Sequence, residues 1–254
     1  MRNDRPAGPD VRNRQAPDKP PRKRHWWRWI LAGIVLLVVL VAAGGAILLR
    51  LQSSAPPLAL PGGPVAAPAG QVSGTWDAAA GSVAGFRIRE SALGLGGDVT
   101  GRTDAVTGTL VIARNQVTRA EFRVDLISIT VSGKKQPQFA SSLDAKDYPI
   151  ATITLASPVT LPPALTSGAT ITVAATGYLT LHGITCPVTL TISARQDGTA
   201  LQAAGSIPVA LPRWHITQPQ GYGVFGSLAS HGTAEFLLVL HRDAHALPGD
   251  GKVR

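Results

Sequence analysis

Glu121-Phe122-Arg123-Val124-Asp125-Leu126 sets three apolar side chains against three charged ones in strict alternation. A period of two belongs to a strand with one buried face. The same reading holds elsewhere. Val188, Leu190 and Ile192 oppose Thr189, Thr191 and Ser193, while Phe86 and Ile88 oppose Arg87 and Arg89; residues 152–155 and 170–173 repeat the alternation. Further strands are expected at 108–113, 177–181, 201–209 and 233–241, the last apolar on both faces. Turn-forming groups separate them at 94–101, 158–168, 196–198 and 218–223. Only residues 136–147 read as one or two helical turns, ended by Tyr148-Pro149. About eight short antiparallel strands with almost no helix make an all-β domain, either a barrel or a sandwich. No internal repeat is present, which excludes propellers and solenoids.

Before this domain, residues 30–49 read ILAGIVLLVVLVAAGGAILL, without a charge or a proline. Twenty such residues in a helix span roughly 30 Å, the thickness of a bilayer's hydrocarbon core. Trp26, Trp27 and Trp29 stand at one end with Arg22, Lys23, Arg24 and Arg28, and only Arg50 closes the other. Residues 1–29 hold nine basic and three acidic side chains, so most of the formal net charge of +9 lies on one side of the run. That asymmetry is the positive-inside signal of a single-pass anchor rather than a nucleic-acid footprint. The run also exceeds the apolar region of about 7–15 residues in a cleaved signal peptide. The expected organisation is a disordered basic cytoplasmic tail (1–29), a transmembrane helix (30–49), a Pro/Ala/Gly-rich linker (50–73), an extracytoplasmic β-domain (74–242) and a flexible C-terminal tail (243–254). A free linker of this composition would act as a spacer.

The one cysteine, Cys186, forbids an intramolecular disulfide, so an exported domain must rely on its core. Cys186 itself reads as a small buried hydrophobe. No catalytic motif is present: neither G-x-S-x-G nor H-E-x-x-H nor C-x-x-C occurs, and residues 94–101 break the dinucleotide fingerprint at Val99. The histidines at 182, 215, 231, 241 and 245 lack metal-ligand spacing. No metal or catalytic cofactor is expected.

The run from Gly177 to Ile192, GYLTLHGITCPVTLTI, resembles the G-x-L-T-[LI]-[HK]-G-[VI]-T-x-x-V-x-[LF] stretch of the YceI-like polyisoprenoid-binding family. TWDAAAGSVAGFRI from Thr75 is similar to that family's opening strand and Thr107-Gly108-Thr109-Leu110 to its second. LDAKDYPIATI from Leu143 resembles its aspartate, tyrosine-proline and strand segment, and Ser206-Ile207-Pro208-Val209 with Trp214-His215-Ile216-Thr217 its late strand and turn. These motifs run in order over roughly residues 74–241. One departure is the segment GKKQPQF at 133–139, which alters the region ahead of the helical turns.

The resemblance implies a lipocalin-like antiparallel barrel of about eight strands with a short helical segment. Its apolar lumen would hold the tail of an isoprenoid lipid or quinone. Closing an eight-stranded sheet leaves room for side chains or one slender ligand. Alternation would then line that lumen with Phe86, Ile88, Leu110, Ile112, Phe122, Val124, Leu126, Leu190 and Ile192, with Trp214 either meeting a headgroup or plugging one end. His182 falls in the Leu-His-Gly-Ile turn of the motif, where a structural hydrogen bond is the expectation. The partners expected are thus an isoprenoid lipid or quinone and the membrane, with no nucleic acid. Two other classes compete: a cell-surface interaction module with a filled barrel, and an enzyme acting on a lipid headgroup. The volume and polarity of the lumen separate all three.

Overall fold

The computed structural model describes residues 33–41, 55–92, 95–218 and 226–243. The chain divides into two units, Met1–Ser53 and Ser54–Arg254. In the first, residues 33–41 are helical, and Ile34 to Val41 are each between 52% and 67% exposed. Among the described residues no helix is long and apolar enough to cross a membrane. The rest of the expected span, with the basic tail, the C-terminal tail beyond Asp243 and most of the turn expected at 218–223, lies outside the described residues.

The second unit is a closed antiparallel barrel. Its strands are β1 (Gly74–Ala78), β2 (Val83–Ala92), β3 (Leu95–Thr103), β4 (Val106–Ala113), β5 (Gln116–Asp125), β6 (Thr130–Val131), β7 (Ile150–Leu155), β8 (Val159–Thr160), β9 (Ile171–Leu181), β10 (Ile184–Asp197), β11 (Ala200–Ala210) and β12 (Gly226–Arg242). The ring runs β1-β4-β5-β7-β9-β10-β11-β12 and closes because β12 also pairs with β1, Trp76 opposite Arg242. Its eight positions match the expected count of about eight, though the strands expected separately at 170–173 and 177–181 are one strand, β9. Both β1 and β2 pair with β12, so they form one interrupted strand, and β3 and β4 form its equally interrupted neighbour.

The interruption at residues 79–82 leaves the Val239 backbone without a strand partner on the side away from β11. Ser82 supplies one: its hydroxyl accepts from Val239 N at 3.0 Å and donates to Val239 O at 3.1 Å, while Ala79 N donates to the same carbonyl at 2.8 Å. The hairpins follow turn chemistry. Arg114-Asn115 and His182-Gly183 have positive φ at both positions, which is the two-residue turn whose twist matches the flanking strands.

Three expectations change here. Residues 94–101 were expected as a loop, yet Leu95–Thr103 is strand β3, paired along β2 from Leu95 opposite Ala92 to Thr103 opposite Ala84. Glycine composition signals a turn only when no neighbouring edge offers a ladder, and β2 offers one. The helical stretch is also shorter than 136–147: a helix at Pro137–Ser142, then turns to Asp147. Asp144, with φ of 46°, breaks it before the proline does.

The largest change concerns the linker. Residues 55–73 do not stand free; they run as a strap along the outside of the barrel. Ala55 O accepts from Arg87 Nη2 at 2.6 Å, and Leu58 N donates to Glu235 Oε2 at 3.2 Å. Ala66 N donates to Asp197 Oδ1 at 2.8 Å, and Ala69 N to Gly198 O at 3.0 Å. Val72 is buried and accepts from the Trp76 indole at 2.8 Å. Backbone carbonyls and amides of the strap thus find partners on the barrel, as docked backbone must.

Beneath its start lies an ionic cluster on the outer wall. Glu235, 5% exposed, meets Arg87 Nε at 2.8 Å and Arg102 Nη2 at 2.5 Å, and Arg87 reaches Asp98 Oδ2 at 3.2 Å. Burial works against the Arg87 charge, but the hydrogen bonds and charges of Glu235 and Asp98 outweigh it and hold the guanidinium above its ordinary range.

A candidate lipid-binding lumen

The barrel interior holds an apolar cavity of about 290 Å³. It lies at the lower edge of ligand pockets, which run from about 300 to 1,000 Å³. Strand alternation builds its wall. Phe86, Ile88, Leu110, Ile112, Phe122, Val124, Leu126, Leu190 and Ile192 all line it, so alternation places each of them on the inner face. The sequence reading passed over comparable residues: Leu179 and Ala175 on β9, Ile207 and Val209 on β11, and Phe236, Leu238 and Leu240 on β12. Those on β12 were hidden because that strand is apolar on both faces. Its outer face is apolar where Leu237 and Val239 are half buried, so hydrophobicity alone does not show which side is the lumen.

Trp214 is the exception among the expected lining residues. It is fully buried at 0% exposure and does not line the cavity. It sits in a 3-10 turn, Leu211–Trp214, with its indole N–H donating to Leu179 O at 3.2 Å. Anchored in this way, the indole packs with Val188, Leu190, Ile207 and Ile216, the last three of which also line the cavity, so of its two expected roles the plug fits and the headgroup contact does not. His182, at the β9–β10 turn, fixes the same segment. Its Nδ1 lies 2.9 Å from Trp214 O, and because a carbonyl only accepts, Nδ1 carries the proton. Its other nitrogen stands 3.9 Å from Asp144 Oδ2, and its ring meets Tyr148 edge-on. The hydrogen bond expected of His182 is therefore present and joins two connections at one end of the barrel.

The two ends differ. At the end where β1 begins, Val72, Trp76, Leu161, Leu165 and Leu201 form one buried cluster. At the other, Phe139 of the short helix packs with Phe86, ring centroids 5.3 Å apart, in a cluster with Ile88, Val99, Val131 and Leu228. Cys186, expected to be buried, is half buried, its thiol 3.6 Å from Arg213 O. Among the described residues no three His, Cys, Asp or Glu side chains gather as metal ligands.

A closed eight-position antiparallel barrel with an apolar lumen is the architecture of the lipocalin-like class. The chain belongs to the YceI-like family: the model of the YceI-like domain matches residues 75–233. Among solved structures, a polyisoprenoid binding domain from Saccharophagus degradans, implicated in plant cell wall breakdown, superposes with a TM-score of 0.53 at 15% identity, covering 68% of this chain and 100% of that one. BcnA of Burkholderia cenocepacia matches with a TM-score of 0.46 at 18% identity, covering 61% and 95%. No curated protein matches the chain.

Proposed function

We propose that this protein is a membrane-anchored, extracytoplasmic lipid-binding protein whose barrel holds the tail of an isoprenoid or quinone-type lipid, for storage or transfer. The observation that carries the reading is the lumen, a cavity of about 290 Å³ walled by apolar side chains inside a closed barrel. It favours a carrier over a filled interaction module. Membership of the YceI-like family and the likeness to a polyisoprenoid binding domain support the ligand class. Binding proceeds by exclusion of water. At about 0.8 kcal/mol per buried CH₂, one five-carbon isoprene unit is favoured by roughly 4 kcal/mol over water. Escape into solution is therefore slow, whereas exchange with a bilayer is nearly neutral.

The anchor rests on the apolar run at 30–49, its Trp and Arg flanks and the exposed apolar helix at 33–41. The test is native mass spectrometry with organic extraction on the full chain purified in mild detergent from a bacterial membrane fraction. A stoichiometric isoprenoid or quinone is the expected result. A ligand-free protein that also takes nothing from isoprenoid-loaded liposomes would overturn the reading.

A further inference from the structure

One corner of the barrel's outer surface differs from the rest. Among the barrel's described residues four large apolar side chains are exposed, and three of them, Ile127 at 50%, Tyr148 at 42% and Ile150 at 43%, lie between the end of β5 and the start of β7. The register gathers them. Asp125 on β5 stands opposite Ile150 on β7, and Leu126 N donates to Pro149 O at 2.8 Å, which carries the ladder one step further and brings Ile127 beside Tyr148. Alternation turns all three away from the lumen, because Leu126 and Ala151 line it. Single exposed apolar residues are ordinary, but a cluster of them marks a contact surface. The cations of the same stretch indicate the partner. Lys134, Lys135 and Lys146 are all exposed, and they are the only lysines between residues 55 and 243, where the other fixed cations are arginines. Two of the neighbouring acids are engaged: Asp125 Oδ1 accepts from Ile127 N at 2.8 Å and Asp144 faces His182 at 3.9 Å, which leaves Asp147 exposed. Protein interfaces are depleted in lysine, whereas lysines beside an apolar patch are what an anionic bilayer attracts.

We propose that this corner is a second membrane contact, separate from the apolar run at 30–49: Ile127, Tyr148 and Ile150 enter the headgroup layer of an anionic leaflet, and Lys134, Lys135 and Lys146 meet its phosphates. The proposal rests on the membrane reading above and adds the face that the barrel itself turns to lipid. A lysine lays its alkyl stem on apolar surface while its ammonium stays at the polar boundary, so both sets of side chains act together. Behind this corner Leu126, Phe139, Leu143 and Ala151 line the lumen, so the contact sets the leaflet against the wall of the lipid cavity.

The test places the full chain in vesicles of phosphatidylcholine with phosphatidylglycerol and checks by flotation that it is bound. In a Cys186→Ser background a polarity-sensitive dye is attached at Ile127→Cys or Ile150→Cys, and at two exposed controls, Thr118→Cys and Thr189→Cys, and is quenched by nitroxide lipids. Thr118 precedes Asp125 on β5 by a distance of about 23 Å along the strand. Dyes at Ile127 and Ile150 are expected to be quenched about threefold more than the controls. Replacing the three lysines by glutamine should remove most of that difference, since each is worth about fivefold in partition near an anionic surface. The unmodified chain gives a reading that needs no variant to fold: acetylation of Lys134, Lys135 and Lys146 should slow about threefold between neutral detergent and these vesicles, with Lys252 unchanged. Equal quenching at all four positions, or unchanged acetylation, overturns the inference. So does quenching that survives in full without the lysines. A blue shift at Ile150 that grows with protein concentration and is not quenched by lipid would give the corner to a second copy of this chain and overturn it as well. A chain that does not float with the vesicles would instead fail the membrane reading itself.

Discussion

Trp214 and Glu235 show how far single residues depend on their surroundings. A tryptophan in a proline-flanked turn suggested a headgroup contact or a plug; at 0% exposure, with its indole bonded to Leu179 O and packed on Leu190 and Ile207, it fits the plug. Trp214→Ala should therefore cost about 3–5 kcal/mol through the cavity it leaves. In a domain of this size that lowers the melting temperature by roughly 10 °C. Affinity measured on the folded fraction should change much less, since Trp214 does not line the lumen. Glu235 sat unremarked in an apolar strand, and only the fold brings it to Arg87 and Arg102 from two other strands. Glu235→Gln should destabilise by about 2–4 kcal/mol in urea denaturation, because two guanidiniums then lose the carboxylate that offsets their burial. Removing Arg87 in the same protein should recover part of that loss, and strict additivity of the two changes would refute the coupling.

At the scale of elements, the alternating strands were legible because burial on one face imposes the period of two. What was not legible was anything whose structure depends on a distant partner. β3 reads as a glycine-rich turn and becomes a strand because β2 bends beside it. That closeness is measurable: a Cβ on Gly85 would sit 1.9 Å from Gly101 O across the β2–β3 ladder. Gly85→Ala should accordingly cost about 2–3 kcal/mol, since backbone and not a flexible side chain must yield, and an unchanged melting temperature would contradict this packing. The strap has the composition of a spacer, but its alternately half-buried Leu58, Leu60 and Val65 lie on the barrel, so residues 55–73 lend no free length. Replacing residues 58–66 by an equal length of Gly and Ser should lower barrel stability by about 2 kcal/mol in chemical denaturation. A free linker would show no change.

For the whole molecule, the lumen and the anchor make separate predictions. Leu110 lines the cavity and is only half buried, so a larger side chain there has space to enter it. Leu110→Trp should keep the circular dichroism of the native barrel while weakening isoprenoid binding by about tenfold or more. Unimpaired binding would place the ligand outside the lumen. The anchor is tested by washing bacterial membranes with alkaline carbonate. The full chain is expected to stay in the pellet, and its release would argue against a span at residues 30–49.

The order of residues along this chain was enough to define an all-β domain, about eight strands, an inner face and a family, because local alternation and short motifs are written in neighbouring positions. The closure of β12 onto β1, the docking of the strap and the full burial of Trp214 come from the folded molecule. Each depends on groups dozens to more than a hundred residues apart, or on which side of a strand faces the barrel axis, and no local periodicity encodes which distant edge, charge or cavity a side chain will meet.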